Sequence, residues 1–224
     1  KRLARIMLLL VLGIFGGPTQ SLGQGTDLSL NQVMIETNLG EIVLVLDPEK
    51  APVTVENFLS YVDQQGYDGT IFHRVIPGFM IQAGGHFEDL SESPSRPPIK
   101  NEADNGLSNR IGTIAMARLS DIDSASNQFF INTANNARLD HGPKSCSREE
   151  EAKIAALRAR GLMKPKRCKS FGYAVFGEVI RGLEVVRRIE SLETGMRNGF
   201  SDVPLEAVKI ITIRRVAHEK VFNP

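Results

Sequence analysis

Hydrophobic positions along the chain recur with two periods. The stretch "QVMIETNLGEIVLVLD" (residues 32–47) holds two apolar, β-branched runs around Asn38-Leu39-Gly40, a hairpin pattern. In "APVTVENFLSYVDQQG", which follows, Pro52 stands near the start and Val55, Phe58, Leu59 and Val62 fall at i, i+3, i+4 and i+7. That spacing predicts one amphipathic helix. From residue 70 the short period returns in "TIFHRVI", "FMIQAG", "TIAMAR", "QFFIN" and "AVFGEVI", separated by Gly, Asn, Asp, Ser and Pro clusters. "LEVVRRIESL" predicts a second helix with Leu183, Val186 and Ile189 on one face, and "AVKIITIRRVA" a closing strand. Many short strands, two helices and no regular strand–helix alternation predict a mainly β protein built on an antiparallel sheet or barrel. No internal repeat is visible.

Two segments depart from this pattern. Residues 1–23 carry Lys1, Arg2 and Arg5 before the apolar run "IMLLLVLGIF" and a Gly, Pro and small polar exit, the layout of a secretory signal peptide. The run is about ten residues, whereas a membrane-spanning helix needs about 20, so the expectation is export with no stable membrane span after cleavage. Residues 24–32 read as a polar leader, 33–217 as the folded domain and 218–224 as a tail. The second departure is residues 143–170, with nine basic and three acidic side chains, about +6. Within it Ser147 and Glu150 form an S-x-x-E capping box ahead of "EEEAKIAALRARGL", which predicts an inserted basic helix.

Composition narrows the function classes. Of the 224 residues, 42% are hydrophobic and 24% charged, ordinary for one globular domain with a sizeable core. The net charge is +1, and removing the three basic residues of the first 23 leaves about −2, which gives no reason to expect nucleic acid as a partner. The two cysteines, Cys146 and Cys168, form no C-x-x-C pair and His73, His86, His141 and His218 are scattered, so no metal site is expected. In an exported protein the cysteines read as a disulfide that staples the two ends of the insertion. Closing that loop stabilises by about 3 kcal/mol on the chain-entropy model.

The segment "FHRVIPGFMIQAGG" (residues 72–85) contains no cysteine, serine, aspartate or glutamate that could act as a nucleophile. One reaction needs none. Rotation about a peptide bond has a barrier of about 18–20 kcal/mol because the nitrogen lone pair is delocalised into the carbonyl. A greasy recess for a ring, with a hydrogen-bond donor poised at the amide, lowers that barrier by favouring the twisted state. Arg74 amid Phe79, Met80 and Phe130 offers both. No G-x-S-x-G elbow or Cys/His pairing supports a hydrolase.

"FHRVIPGFMIQAGG", "GTIAMAR", "SASNQFFIN" and "FGYAVFGEV", in this order, resemble the core motifs of the cyclophilins, a peptidyl-prolyl cis-trans isomerase family, and "NEADNGL" and "LDHG" resemble its exported bacterial branch. The resemblance spans about Val33 to Val216 apart from the insertion. It implies a closed eight-stranded antiparallel barrel with two capping helices. It also implies that Arg74 is the catalytic arginine and that Gln82 holds a substrate carbonyl. Phe79, Met80, Phe130 and Leu139 then line the proline pocket, Ala117 and Gln128 border the neighbouring groove, and Tyr173 stands at the rim. Arg138, Tyr173 and Arg118 depart from the tryptophan, histidine and asparagine of many relatives. His73 reads as structural, since isomerisation transfers no proton. The combined expectation is a monomeric isomerase in a bacterial periplasm, acting without cofactor or metal on proline-containing folding polypeptides. The alternative is a peptide-binding chaperone or interaction module with incidental isomerase activity.

Overall fold

The computed structural model describes residues 31–162 and 168–216. The expected signal peptide 1–23, residues 24–30 of the leader and the tail 218–224 lie outside the described residues. The first hairpin forms β1 (Gln32–Thr37) and β2 (Gly40–Leu46), and α1 (Pro52–Asp63) follows. Next come β3 (Phe72–Ile76), β4 (Met80–Ala83), β5 (Thr113–Met116) and β6 (Phe129–Asn132). The insertion supplies α2 (Arg148–Ala159), after which run β7 (Val175–Arg181), α3 (Leu183–Glu190), β8 (Thr194–Arg197), β9 (Phe200–Pro204) and β10 (Ile210–Arg215).

Eight strands form one curled antiparallel sheet in the order β10-β1-β2-β7-β5-β6-β4-β3. One face holds the main core, in which the rings of Tyr67, Phe129 and Phe176 lie 5.2–5.6 Å from that of Phe58. Onto this core α1 delivers Val55, Phe58, Tyr61 and Val62, and α3 delivers Val185, Val186 and Ile189. The start of α1 has no side-chain cap of its own. Instead the Glu102 carboxylate accepts from the Val53 and Thr54 amides at 3.2 and 2.8 Å, placing negative charge where the first-turn N–H groups lack partners.

Three expectations need correction. The barrel is not fully closed, because no ladder joins β3 to β10. The chain bends at 205–206 before β10, so the seam is held by the Ile71–Lys209 bridge and by three backbone bonds, Gly69 N to Ile210 O, Ile210 N to Thr70 O and Phe72 N to Val208 O, of 2.8–2.9 Å. Leu183 is not on the buried face of α3: it sits just after Gly182 at the helix start and is 40% exposed, and Val185 takes its place. The inserted helix is not itself basic, since α2 carries three acids and three bases and the excess charge lies in its flanks. The predicted capping box is present, with Ser147 Oγ accepting from Glu150 N and the Glu150 carboxylate accepting from Ser147 N. A short separate hairpin, β8–β9, was absent from the sequence reading.

Candidate active site

A strand alternates its side chains between faces, so Phe72 and Val75, three apart, could not both enter the core from a regular β3. A bulge resolves the conflict. Phe72 pairs with Ala83 and Arg74 with Gln82, leaving His73 as the extra residue. Phe72 and Val75 both reach the core, and Arg74 turns to the outer face. β7 repeats the device: Ala115 pairs with Val175 and Ile114 with Gly177, so Phe176 is the extra residue and enters the core.

Between the two bulges the pairing is regular, and it lays one row of side chains across five strands. Arg74 lies opposite Gln82, Gln82 opposite Phe130, Phe130 opposite Ala115 and Ala115 opposite Val175. Around this row a second apolar cluster forms on the outer face. Met80, Ala115, Phe130 and Val175 are buried, with Ile76, Phe79, Leu107, Ala117, Leu139 and Tyr173 packed half-exposed against them. Gln82 Nε2 donates to Gln128 Oε1 at 2.8 Å. Gln128 is held in turn by a close approach, since any side chain at Gly85 would begin 2.4 Å from its amide carbon.

The rest of the rim comes from loops tied by buried amides. Phe79 sits on the β3–β4 turn, where its carbonyl accepts from Asn136 Nδ2 at 2.8 Å and Thr133 N at 3.1 Å. Leu139 and Tyr173 are joined by the bond from Tyr173 N to Leu139 O, 3.0 Å. That contact requires Gly172, whose φ is +111° and where a Cβ would lie 2.8 Å from His141 N and 3.0 Å from Leu139 O. Three asparagines of the 101–109 segment then stand in for a neighbouring strand: Asn101 donates to Gly172 O at 3.1 Å, Asn109 to Tyr173 O at 3.4 Å and Asn105 to Val175 O at 2.9 Å. The Phe130 and Tyr173 rings meet in a T-shaped, edge-to-face contact with centroids 5.8 Å apart.

Every residue expected in the pocket therefore lies in this cluster or in its polar border, whereas Cys146 and Cys168 lie beneath the insertion. There they form a disulfide. Glu150 brings a third possible metal donor to them, but both thiols are consumed in the bridge.

Several residues at the site escaped the sequence reading. Asp202 on β9 lies 3.5 Å from Arg74 Nε. Its hairpin could have been found from the Asn198-Gly199 dipeptide, a strong turn signal. Ala115, Val175 and Ile76 read as ordinary strand residues that only the register places at the pocket, and Leu107 reads as a loop residue whose packing there the sequence does not show. Arg118 stacks 4.7 Å over the Tyr173 ring and donates to Gly172 O, Leu119 O and Ser170 Oγ. Arg138 stacks 4.3 Å over the Phe79 ring. His73 lies under Arg74, 4% exposed, its ring 4.5 Å from that of His86. Burial, then the neighbouring His86, push its pKa down to about 4, so it is neutral at pH 7. A separate concavity of about 470 Å³ lies beyond Leu107 and Val175, but it includes none of Arg74, Gln82 or Phe130.

Comparison with known proteins agrees with this arrangement. Residues 32–215 match the model of the cyclophilin type peptidyl-prolyl cis-trans isomerase family. The chain is 46% identical over 178 residues to peptidyl-prolyl cis-trans isomerase A of Dickeya dadantii, covering 80% of each chain. It is 41% identical over 181 residues to peptidyl-prolyl cis-trans isomerase B of Escherichia coli, covering 81% of this chain and 97% of that one. In fold it is similar to a cyclophilin type isomerase of Cryptosporidium parvum, with a TM-score of 0.60, 22% sequence identity and coverage of 84% of this chain and 98% of that one.

Proposed function

The chain belongs to the cyclophilin-type peptidyl-prolyl cis-trans isomerase family, and on that premise we propose a division of labour among its site residues. The enzyme acts on proline-containing polypeptides. Phe79, Met80, Phe130 and Leu139 receive the proline ring, Tyr173 closes the rim, and Ala117 and Gln128 border the path of the residues before it. Gln82, oriented by Gln128, holds the carbonyl preceding proline. Arg74 donates to the substrate amide and favours the twisted geometry, in which the proline nitrogen regains its lone pair and accepts a hydrogen bond. Asp202 engages the Nε edge of Arg74, which leaves the two terminal nitrogens for substrate. Both partners are about 40% exposed, so the pair serves orientation more than stability.

The observation that carries this reading is the unbroken register Arg74–Gln82–Phe130–Ala115–Val175, which sets a cation and an amide beside an apolar recess on a rigid sheet. Uncatalysed prolyl isomerisation takes tens to hundreds of seconds. Bringing it to milliseconds requires about 10⁴–10⁵-fold, or roughly 5.5–7 kcal/mol of differential stabilisation. A charge-assisted bond beside an apolar recess supplies much of that without any covalent step. Arg74→Ala is expected to lower kcat/KM about 10²–10³-fold in a protease-free isomerisation assay, with the fold unchanged by circular dichroism. A loss of less than threefold would overturn the role given to Arg74.

We further propose that the protein works as a monomer outside the cytoplasm, in a bacterial periplasm. Support comes from the basic head and short apolar run of residues 1–23 and from the disulfide, a bond that persists in oxidising compartments. Among the described residues no helix is long and apolar enough to cross a membrane. Cell fractionation tests the location, and recovery of the protein in the cytoplasm with both thiols free would refute it.

A further inference from the structure

The apolar recess is ringed by guanidinium groups whose charges are unevenly compensated. Arg74 has Asp202. Arg118 donates to two carbonyls and the Ser170 hydroxyl and forms no ion pair among the described residues. Arg138 is exposed, lies over the face of Phe79 and forms no ion pair among the described residues. The other carboxylates nearby are hydrogen-bonded, but among the described residues only Glu190 is paired with a cation. Asp140 accepts two bonds from Asn109, and Glu190 pairs with Arg187 and accepts from Gly78 N. Set against Asp202 and Asp140, the three guanidinium groups Arg74, Arg118 and Arg138 leave one positive charge in excess at the rim.

Stacking fixes what Arg138 can offer. A guanidinium laid on a ring commits its flat face to the aromatic quadrupole and leaves its in-plane N–H donors free at the edge. Those donors suit a planar, doubly accepting anion, which in a polypeptide is the side chain of Asp or Glu. We propose that Arg138, with Arg118 adding a second cation at the rim, makes this isomerase selective for proline flanked by an acidic residue. The proposal rests on Phe79 being a wall of the proline pocket.

The test is kcat/KM, measured by exchange NMR without protease, on matched peptides bearing Glu, Gln or Lys on either side of proline. Glu is expected to exceed Gln by about two- to fivefold at low ionic strength, with Lys below Gln, and the spread should shrink at high salt. Arg138→Gln should bring the Glu:Gln ratio to one, Arg138→Glu should invert it and Arg138→Lys should keep it above one. The ratio is internal to each variant, so a change in overall rate does not obscure it. Equal rates for Glu and Gln peptides in the unmodified enzyme, or a ratio that survives in Arg138→Gln, would overturn the proposal. Turnover of the Gln peptide reports the isomerase itself: its absence would strike at the pocket assignment, whereas equal turnover of all peptides would remove only the selectivity.

Discussion

The site has two halves built on different principles. One is borne by the sheet: Arg74, Gln82 and Phe130 occupy adjacent strands, and their relative positions are set by ladder hydrogen bonds and by the core behind them. The other is borne by loops: Leu139, Tyr173, Arg118 and Arg138 owe their positions to side-chain amides, stacked guanidinium groups and a staple. The sheet half has no latitude, because a one-residue slip would send Arg74 into the core. Outside fixed positions such as Gly172, Asn101 and Asn109, the loop half has fewer constraints tying its sequence to the fold. Chemistry common to every substrate is accordingly expected on the sheet, and discrimination among substrates on the loops.

Arg74→Ala should have the largest effect on turnover, and truncating the sheet half at its centre the largest on stability. Phe130 is 4% exposed and wedged among Met80, Ala115 and Val175, so Phe130→Ala should cost about 3 kcal/mol of stability and lower kcat/KM about tenfold or more. Leu139→Ala, on the loop half, should weaken binding with a stability cost of about 1 kcal/mol, because Leu139 is already half exposed. Urea titrations of the two variants check this. Equal destabilisation would mean that the loops are as integral to the fold as the strands.

Sequence was most informative for the sheet half, for a physical reason. Strand residues two apart must share a face, and Arg74 and Gln82 stand in motifs whose alternation is visible in the chain itself. Even there the His73 bulge was not legible, because an extra residue breaks the alternation that the reading depends on. The loop half was legible only as a resemblance: nothing local in "NEADNGLSN" says that three asparagine side chains will replace a strand. Asp202 was missed for a third reason. Its hairpin is short, half exposed and outside the main sheet, so it leaves no core periodicity to read. The disulfide needed no geometry, since two cysteines flanking a capped helix in a chain expected to be exported have few other uses.

Acid should act on the sheet half through His73. His73 titrates near 4 when folded against an ordinary 6.5, so the unfolded chain binds more protons between those values. Its contribution is therefore complete above pH 6.5 and is lost as pH falls from about 6.5 to about 4, amounting to roughly 3 kcal/mol from this residue. His86 and Arg74 oppose its protonation, and burial opposes it more. Urea midpoints measured from pH 7.5 to 4.5 should fall accordingly, and His73→Gln should flatten that slope. An unchanged slope in the variant would place the titrating group elsewhere.

Reduction is the counterpart for the loop half, and its effect should be the smallest. The chain-entropy model allows about 3 kcal/mol for closing this loop, which for a domain of this size is a Tm shift of about 6–12 °C. The actual shift should fall below that range, because the same loop is held at its base by other contacts that reduction leaves intact. Cys146 N donates to Lys169 O and Lys169 N to Lys144 O, both at 2.8 Å, while the buried Glu151 carboxylate accepts from Phe171 N at 2.9 Å. Arg148 lies 4.6 Å over Phe171, hydrogen-bonds the Asn101 carbonyl and pairs with Asp123 at 3.0 Å. Beyond this base α2 buries only Glu151 among its own residues, so its far end has little to lose. The Cys146→Ser/Cys168→Ser double variant should lose about twofold in kcat/KM, through looser placement of Tyr173 and Arg118. Amide hydrogen exchange should quicken at residues 168–173 and stay unchanged in β4 and β6. If the strands quickened to the same degree, the two halves would form one cooperative unit, and the separation of chemistry from discrimination would lose its structural basis.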